Sequence, residues 1–501
     1  MAQESDRLLS PAIIMPTRML EFRAPSMALD PRSASDCRNV TIKNGILKKR
    51  TGFSAFSIDD AGNTNIPGRV TGLCQSPFGW NDDIVALSQN ATNTQYFLYD
   101  TDEKEWNSKD SEAQTAYSQL SWCPAVQSDG TDVVILSDNK VRLKIWENPV
   151  TGPTIGDLGL NSFVLRAKVV RYYKGHLCLF NVGTYTSSWT QEKRRIQWTI
   201  SADCEDIDGA GSGSNYLYGR RGGYIVGAEE HADDMIIYCE HEILRMTHVG
   251  GTGTFRFDPL VAKIGLAAQN AIANLGDRHL FLADDFTVQE FAGGLSCNPV
   301  GDPINSDIQT NIHKTYYGSS FFVTDTGLNE AWLFIPTTTY IPDTVYVIKY
   351  GGCLEGYRWY KDSKSGFCGM EHDNWDVLVG TGTPTIDHYN HSATNDGATA
   401  IDAYWNSISF TLPQEPSRFM RAGEIRFEGK GDAVTTYYRT TDGGTWTKIA
   451  DHTLTSSFAY YSAPFDPGYA RSIQFRFRNN TASEDFEIKW WQPVFLPKGA
   501  R

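Results

Sequence analysis

The chain has 501 residues, 41% of them hydrophobic and 21% charged, with a formal net charge of −14; this excludes a disordered polymer, and the acidic surplus argues against tight nucleic-acid binding, which needs cations against phosphates. Aromatics at 12% and 44 glycines favour an all-β chain broken by many turns. No apolar run approaches the roughly 18–20 residues of a membrane helix, and "MAQESDRLLSPAIIMPTRML" lacks the basic-then-apolar layout of a secretory signal, so the expectation is synthesis in a cytoplasm and no membrane insertion.

Residues 1–38 hold prolines at 11, 16, 25 and 31 and no sustained period, and read as an extended N-terminal arm. The first fifty residues carry nine Lys/Arg and five Asp/Glu, leaving −18 on the remainder. A basic arm docked on the acidic body of a neighbouring copy and an ordinary solvated tail both fit that asymmetry. In "DCRNVTIKNGILKKRTGF" (36–53), alternating runs flank Asn44-Gly45, the signature of a two-residue hairpin turn with positive φ. The cations Lys48, Lys49 and Arg50 follow, and are expected at a protein interface or a solvated strand edge.

Residues 39–400 repeat in kind. "DIVALS" (83–88), "TDVVILSD" (131–138), "HLCLFNV" (176–182), "DMIIYCE" (234–240) and "RHLFLAD" (278–284) begin 44 to 58 residues apart, and "SSFFVTD", "EAWLFIP" and "DTVYVIKY" continue the type. That interval is close to one β-propeller blade, so the expectation is an irregular propeller of about six to eight blades. "LVAKIGLAAQNAIANLG" (260–276) fits a short helix or a buried strand pair equally. Residues 401–501 alternate cleanly, as in a C-terminal antiparallel β-sandwich, with "SATNDGATA" (392–400) as the linker.

Chemistry-bearing motifs are sparse. Nine cysteines are scattered without a CxxC pair and read as free buried thiols. "TTDGGTW" (440–446) resembles an Asp-box turn of sialidase-like propellers, but it occurs once and one residue short, which favours a structural hairpin. His388 and His391 in "HYNH" lie in turn-rich surroundings with no evident third ligand and read as exposed loop histidines rather than a metal site. "KRRIQWTISADCEDID" (193–208) reads as a strand, 196–200, leading into an acidic loop with Asp203, Glu205, Asp206 and Asp208. Asn39-Val40-Thr41 fits a glycosylation acceptor, without a secretory context to give it meaning. No catalytic, cofactor-binding or metal-ligating residue emerges, and no cofactor is expected.

Several stretches together resemble a known family. "RNVTIKNGILKKRTGF" is similar to the amino-terminal signature of the tail nozzle, or tail tubular protein B, of short-tailed bacteriophages, with Thr51 where proline is usual. "RRIQWTISADCED" is similar to its Arg-x-x-Trp-Ser strand and acidic loop. "VGGTGTFRFDPLVAKIGLAAQNAIANLGDRHLFLADDFTVQEFAGG" (249–294) follows the family's order of a Gly-rich turn, Phe-x-Phe, Ile-Gly, a small-residue run and a closing Gly-Gly, with Phe286 where glycine is customary. The resemblance spans about residues 35–360. It implies a β-propeller structural protein of the virion tail, not an enzyme, assembled as a homo-oligomeric ring, typically a hexamer. Its implied partners are the tail adaptor, tail fibre or tip/needle proteins and, transiently, DNA translocating during ejection. The alternative is a propeller-type glycan-binding or glycan-cleaving tail protein acting on the host surface.

Overall fold

Six of the recurring runs, the five at 83–284 and "EAWLFIP", become second strands of successive small antiparallel sheets, while "SSFFVTD" and "DTVYVIKY" become the first and third strands of one of them. They read so clearly because they are buried on both faces; Ile84–Gln89 and Glu330–Pro336, for example, are buried throughout. The computed structural model describes residues 13–497 apart from 17, 19, 57–65, 81–82, 115–116, 150–151, 162, 218–222, 351–356, 374–375, 383–384, 412–419 and 469. The chain divides into two compact units, residues 55–345 with 364–388, and residues 1–54 with 346–363 and 389–501.

The protein is nearly all-β and contains an irregular β-propeller. Seven sheets follow one another along the chain: blade 1 (69–112), blade 2 (121–157), blade 3 (165–216), blade 4 (225–262), the three-stranded blade 5 (272–291), blade 6 (321–362) and blade 7 (368–390). Blade 7 takes its fourth strand, Gly52–Phe56, from the beginning of the chain. The innermost strands of blades 2 to 7 lie side by side in order, and that of blade 7, Cys368–His372, lies beside that of blade 1, Arg69–Gln75. The circle closes at Gly72, where a Cβ would come within 2.3 Å of Leu120 just ahead of blade 2. Between blades the packing is apolar; Val133, Ile135, Leu177 and Leu179, for instance, join blades 2 and 3.

The β-sandwich consists of two five-stranded sheets, and its membership differs from the sequence reading. One sheet is ordered Asp36–Arg38, Ala403–Asn406, Gln474–Asn479, Ala433–Arg439, Thr447–Thr453; the other is ordered Val40–Lys43, Ile46–Lys49, Phe486–Pro497, Met420–Gly431, Ala459–Phe465. The hairpin at 40–49 therefore belongs to the sandwich rather than to the propeller. Its apolar residues Val40, Ile42 and Leu47 are buried there. Trp405 and Trp491 meet edge to face at 5.6 Å in the core, with Phe475 and Phe477 around Trp491.

The turn itself follows the sequence, with Asn44 at φ 53° and Gly45 at φ 76°. Two of the cations after it, Lys49 and Arg50, do not, because folding buries them. Lys49 Nζ donates to Asn479 Oδ1 and to the Thr481 and Glu484 carbonyls, at 3.0, 3.3 and 2.7 Å. Lys48 faces Glu487 at 3.7 Å, and Arg50, 4% exposed, pairs with Asp396 at 2.7 Å and Asp362 at 3.4 Å. The proposed linker at 392–400 is likewise a built element. It forms the small hairpin Asn395–Asp396 and Thr399–Ala400, which presents Asp396 to Arg50. Of the two readings of 260–276, strand prevails. Phe255–Ala262 and Ile272–Asn274 flank a turn in which Gly265 passes so close to the chain that a Cβ would lie 2.1 Å from the Glu240 carbonyl oxygen. The α-helix among the described residues is Asn305–Asn311. No helix is long and apolar enough to cross a membrane among them. Seven of the eight described cysteines are buried and all eight are free.

Candidate binding site at the mouth of the propeller

Because each blade runs antiparallel, the segments entering the innermost strands and the turns between second and third strands gather at one end of the propeller. There they enclose a cavity of about 600 Å³. Tyr117 and Gln119 come from the approach to blade 2, Gln269 from the approach to blade 5, and Tyr317 from the approach to blade 6. Asp138, Glu240 and Asp284 come from the turns after the second strands of blades 2, 4 and 5.

Polar atoms in this wall are left without partners. Among the described residues, Ser118 Oγ, Gln119 Nε2, Asp138 Oδ2 and Gln269 Nε2 are buried and accept or donate no hydrogen bond within the chain. Ser118, Gln119 and Asp138 are each less than 10% exposed. An unsatisfied buried polar group costs about 1–3 kcal/mol, so four around one cavity mark a surface made to be completed by water or ligand.

The carboxylates are differently held. Asp138 Oδ1 accepts the amide N–H groups of Lys140 and Val141 at 2.8 and 3.1 Å, and burial raises its pKa despite those bonds. Glu240 Oε2 accepts the Tyr224 N–H at 3.1 Å. Asp284 takes the Gly265 N–H at 3.1 Å on one oxygen and faces His241 Nδ1 at 2.7 Å with the other. The turn after Asp284 has Phe286 at φ 63°, a left-handed conformation where the resembled family has glycine. The ring is held by Lys314, whose ammonium lies 4.2 Å from its centroid, and by Tyr317.

A further cavity of about 440 Å³ lies among the innermost strands. Within it Arg171 pairs with Glu229 at 2.7 Å, and that cation holds the Glu229 carboxyl below its ordinary value despite burial. In the mouth, four buried polar atoms have no partner.

The residues singled out in the sequence lie elsewhere. His388 is half-buried within the strand Ile386–Asn390, its ring beside Phe56, and is not a loop residue; His391 is exposed beside Tyr389. In the acidic loop Asp203 and Asp206 accept backbone N–H groups of their own turns. "TTDGGTW" connects the paired strands Ala433–Arg439 and Thr447–Thr453, with Trp446 between the Arg439 and Arg476 guanidinium groups. Asn39 is 1% exposed and fully bonded inside the fold, which removes it as a glycosylation acceptor. The mouth residues were missed because they come from five blades and no short motif joins them.

No family model and no curated protein matches the chain. Solved structures do. One is described as U3-55K (9% identity, TM-score 0.37, covering 67% of this chain and 99% of that one). Two are of an exo-β-1,3-galactanase from Phanerochaete chrysosporium, at 7% and 8% identity and TM-scores of 0.27 and 0.26, each covering 89% of this chain and 99% and 100% of the other. The expectation that the chain is not an enzyme is withdrawn on these likenesses to a galactanase. At such TM-scores they assign it neither substrate nor reaction.

Proposed function

We propose that this chain is a propeller-type tail protein that takes a host-surface glycan into the mouth of its propeller. The observation that carries the reading is the set of unpartnered buried polar atoms around the 600 Å³ cavity, Ser118 Oγ, Gln119 Nε2, Asp138 Oδ2 and Gln269 Nε2. A hydroxyl-rich ligand supplies both donors and acceptors and satisfies them in place of water, while Tyr117 and Tyr317 add aromatic surface to the cavity wall. Cleavage is chemically within reach of the same wall. Burial raises the Asp138 pKa, the direction a general acid toward a leaving glycosidic oxygen needs, and a second carboxylate among Glu240 and Asp284 can act opposite it.

The second reading, a subunit of a tail nozzle ring, is favoured by the order of motifs across 35–360. One experiment separates the two. The purified chain is applied to an array of bacterial surface oligosaccharides, and in parallel mixed with a portal–adaptor complex and imaged. Saccharide binding that is lost in Asp138→Asn and Gln269→Ala variants supports the glycan reading, and release of new reducing ends extends it to cleavage. Rings on the adaptor with no saccharide bound by the chain would replace it with the nozzle.

A further inference from the structure

The mouth shares Lys140, Lys168 and Glu240 with a side cavity of about 310 Å³ between blades 3 and 4. Four cations line that pocket, Lys140, Arg166, Lys168 and Lys193, against one carboxylate, Glu240. In a chain of net charge −14 this is a local excess of three positive charges in a concave wall. The fold does not use that charge. Among the described residues the Lys140 and Lys168 ammonium groups have no hydrogen bond or ion pair. Lys193 Nζ sits 4.4 Å from the Tyr224 ring centroid. Arg166 donates from Nε to Gln191 Oε1 at 2.9 Å and from one terminal nitrogen to the Lys140 carbonyl at 3.0 Å, and lies over Trp189 at 4.6 Å. Those contacts orient its guanidinium without neutralising it. Burial lowers Lys168 to about 8, opposed by Glu240 and reinforced by Lys193 and Lys140. Unpaired cations held together and partly out of water cost free energy unless an anion joins them.

We propose that this pocket binds an anionic substituent, carboxylate, sulfate or phosphate, of the glycan whose neutral body occupies the mouth. The inference rests on the glycan reading above and adds the substrate class: an acidic polysaccharide. The pocket's size admits one substituted sugar, not a nucleic-acid duplex.

The test is calorimetric titration of the intact chain with four probes: an oligouronate, the same oligosaccharide methyl-esterified, a sulfated neutral oligosaccharide, and inorganic phosphate. The acidic oligosaccharides should bind about tenfold or more tightly than the ester. Lys168→Met and Lys193→Met should each lower that preference by about threefold or more, and Lys168→Arg should keep it. Preference for the oligouronate over the sulfated probe, or the reverse, identifies the substituent. Melting curves confirm that each variant is folded. Equal binding of acid and ester overturns the anionic pocket and leaves the glycan reading standing, as does a preference unmoved by both Met variants. Phosphate binding that depends on Lys168, with no saccharide bound, overturns the glycan reading and with it the proposal in this form.

Discussion

Lys168 illustrates at the scale of one residue how a site conflicts with stability. Its folded value of about 8 lies below its ordinary 10.5 because burial disfavours the ammonium. Between those values the unfolded chain binds more protons than the folded one, so stability rises with pH across that window. Below about 8 the full cost of the buried charge is present. Lys168→Met should therefore stabilise the protein at pH 7 by about 3 kcal/mol. That gain should shrink as pH rises from about 8 toward 10.5, as denaturant titrations at pH 7 and 10 would show. A constant gain would mean that Met merely packs better. Gly45 makes the opposite case. A Cβ there would meet no atom within 4 Å, so the whole effect of Gly45→Val comes from φ 76°. The variant should lose about 1–2 kcal/mol, and normal melting would show that the turn shifts to accommodate valine.

At the scale of elements, blades 1 and 2 are tied by a buried cation. Lys144 is 1% exposed, and its Nζ lies 2.6 Å from Asp110, 2.7 Å from Glu112 and 2.6 Å from Asp157. Asp110 and Glu112 lie on the outer strand Glu105–Glu112 of blade 1, while Lys144 and Asp157 belong to blade 2. The three carboxylates raise its pKa against a strong desolvation cost. Lys144→Met leaves Asp110 and Glu112 without that cation and Asp157 with Arg142 alone, at 2.9 Å, and should cost about 3–5 kcal/mol, measured by urea unfolding. Lys144→Arg should cost less. A methionine variant as stable as the parent would show that the ammonium only offsets its own burial.

The elements also explain what the sequence disclosed. The runs at 83–88, 131–138, 176–182, 234–240 and 278–284 mark the second strands of blades 1 to 5, which neighbouring blades cover on both faces. Outer strands such as Glu105–Glu112, with one buried residue in eight, gave no such signal. The hairpin at 40–49 was legible from Asn44-Gly45, but its destination was not, because alternation identifies a buried face without naming what covers it. The mouth was the least legible part. In the side cavity that joins it, Lys193 stands in "KRRIQWTISADCEDID", whose acidic residues dominate its pattern. Its companions Arg166 and Lys168 lie on another strand, and only the closure of the sheets brings them together.

At the scale of the whole molecule, residues 36–56 supply strands to both architectures. Asp36–Arg38 pairs with Ala403–Asn406, Ile46–Lys49 pairs with Phe486–Pro497, and Gly52–Phe56 completes blade 7. A fragment comprising 401–501, although it contains most of the sandwich strands, would therefore have two new open edges, one along the twelve-residue strand Phe486–Pro497. It would also expose the surface that Val40, Ile42 and Leu47 cover at 1% exposure or less. Open apolar edges pair with other chains. The fragment should be insoluble or self-associated, and a synthetic peptide of residues 34–50 added during refolding should recover a monomer. Lys49 and Arg50 in that peptide matter as much as its apolar face, since the 479–484 turn and Asp396 were built to receive them. For Asp396 the fragment must begin at 392. A longer fragment 392–501 should then gain more from the peptide than 401–501 does, read as a higher melting temperature. If 401–501 alone is monomeric and melts as cooperatively as the longer fragment with peptide, the amino-terminal strands are decoration on a self-sufficient sandwich, and the domain boundary belongs at residue 401.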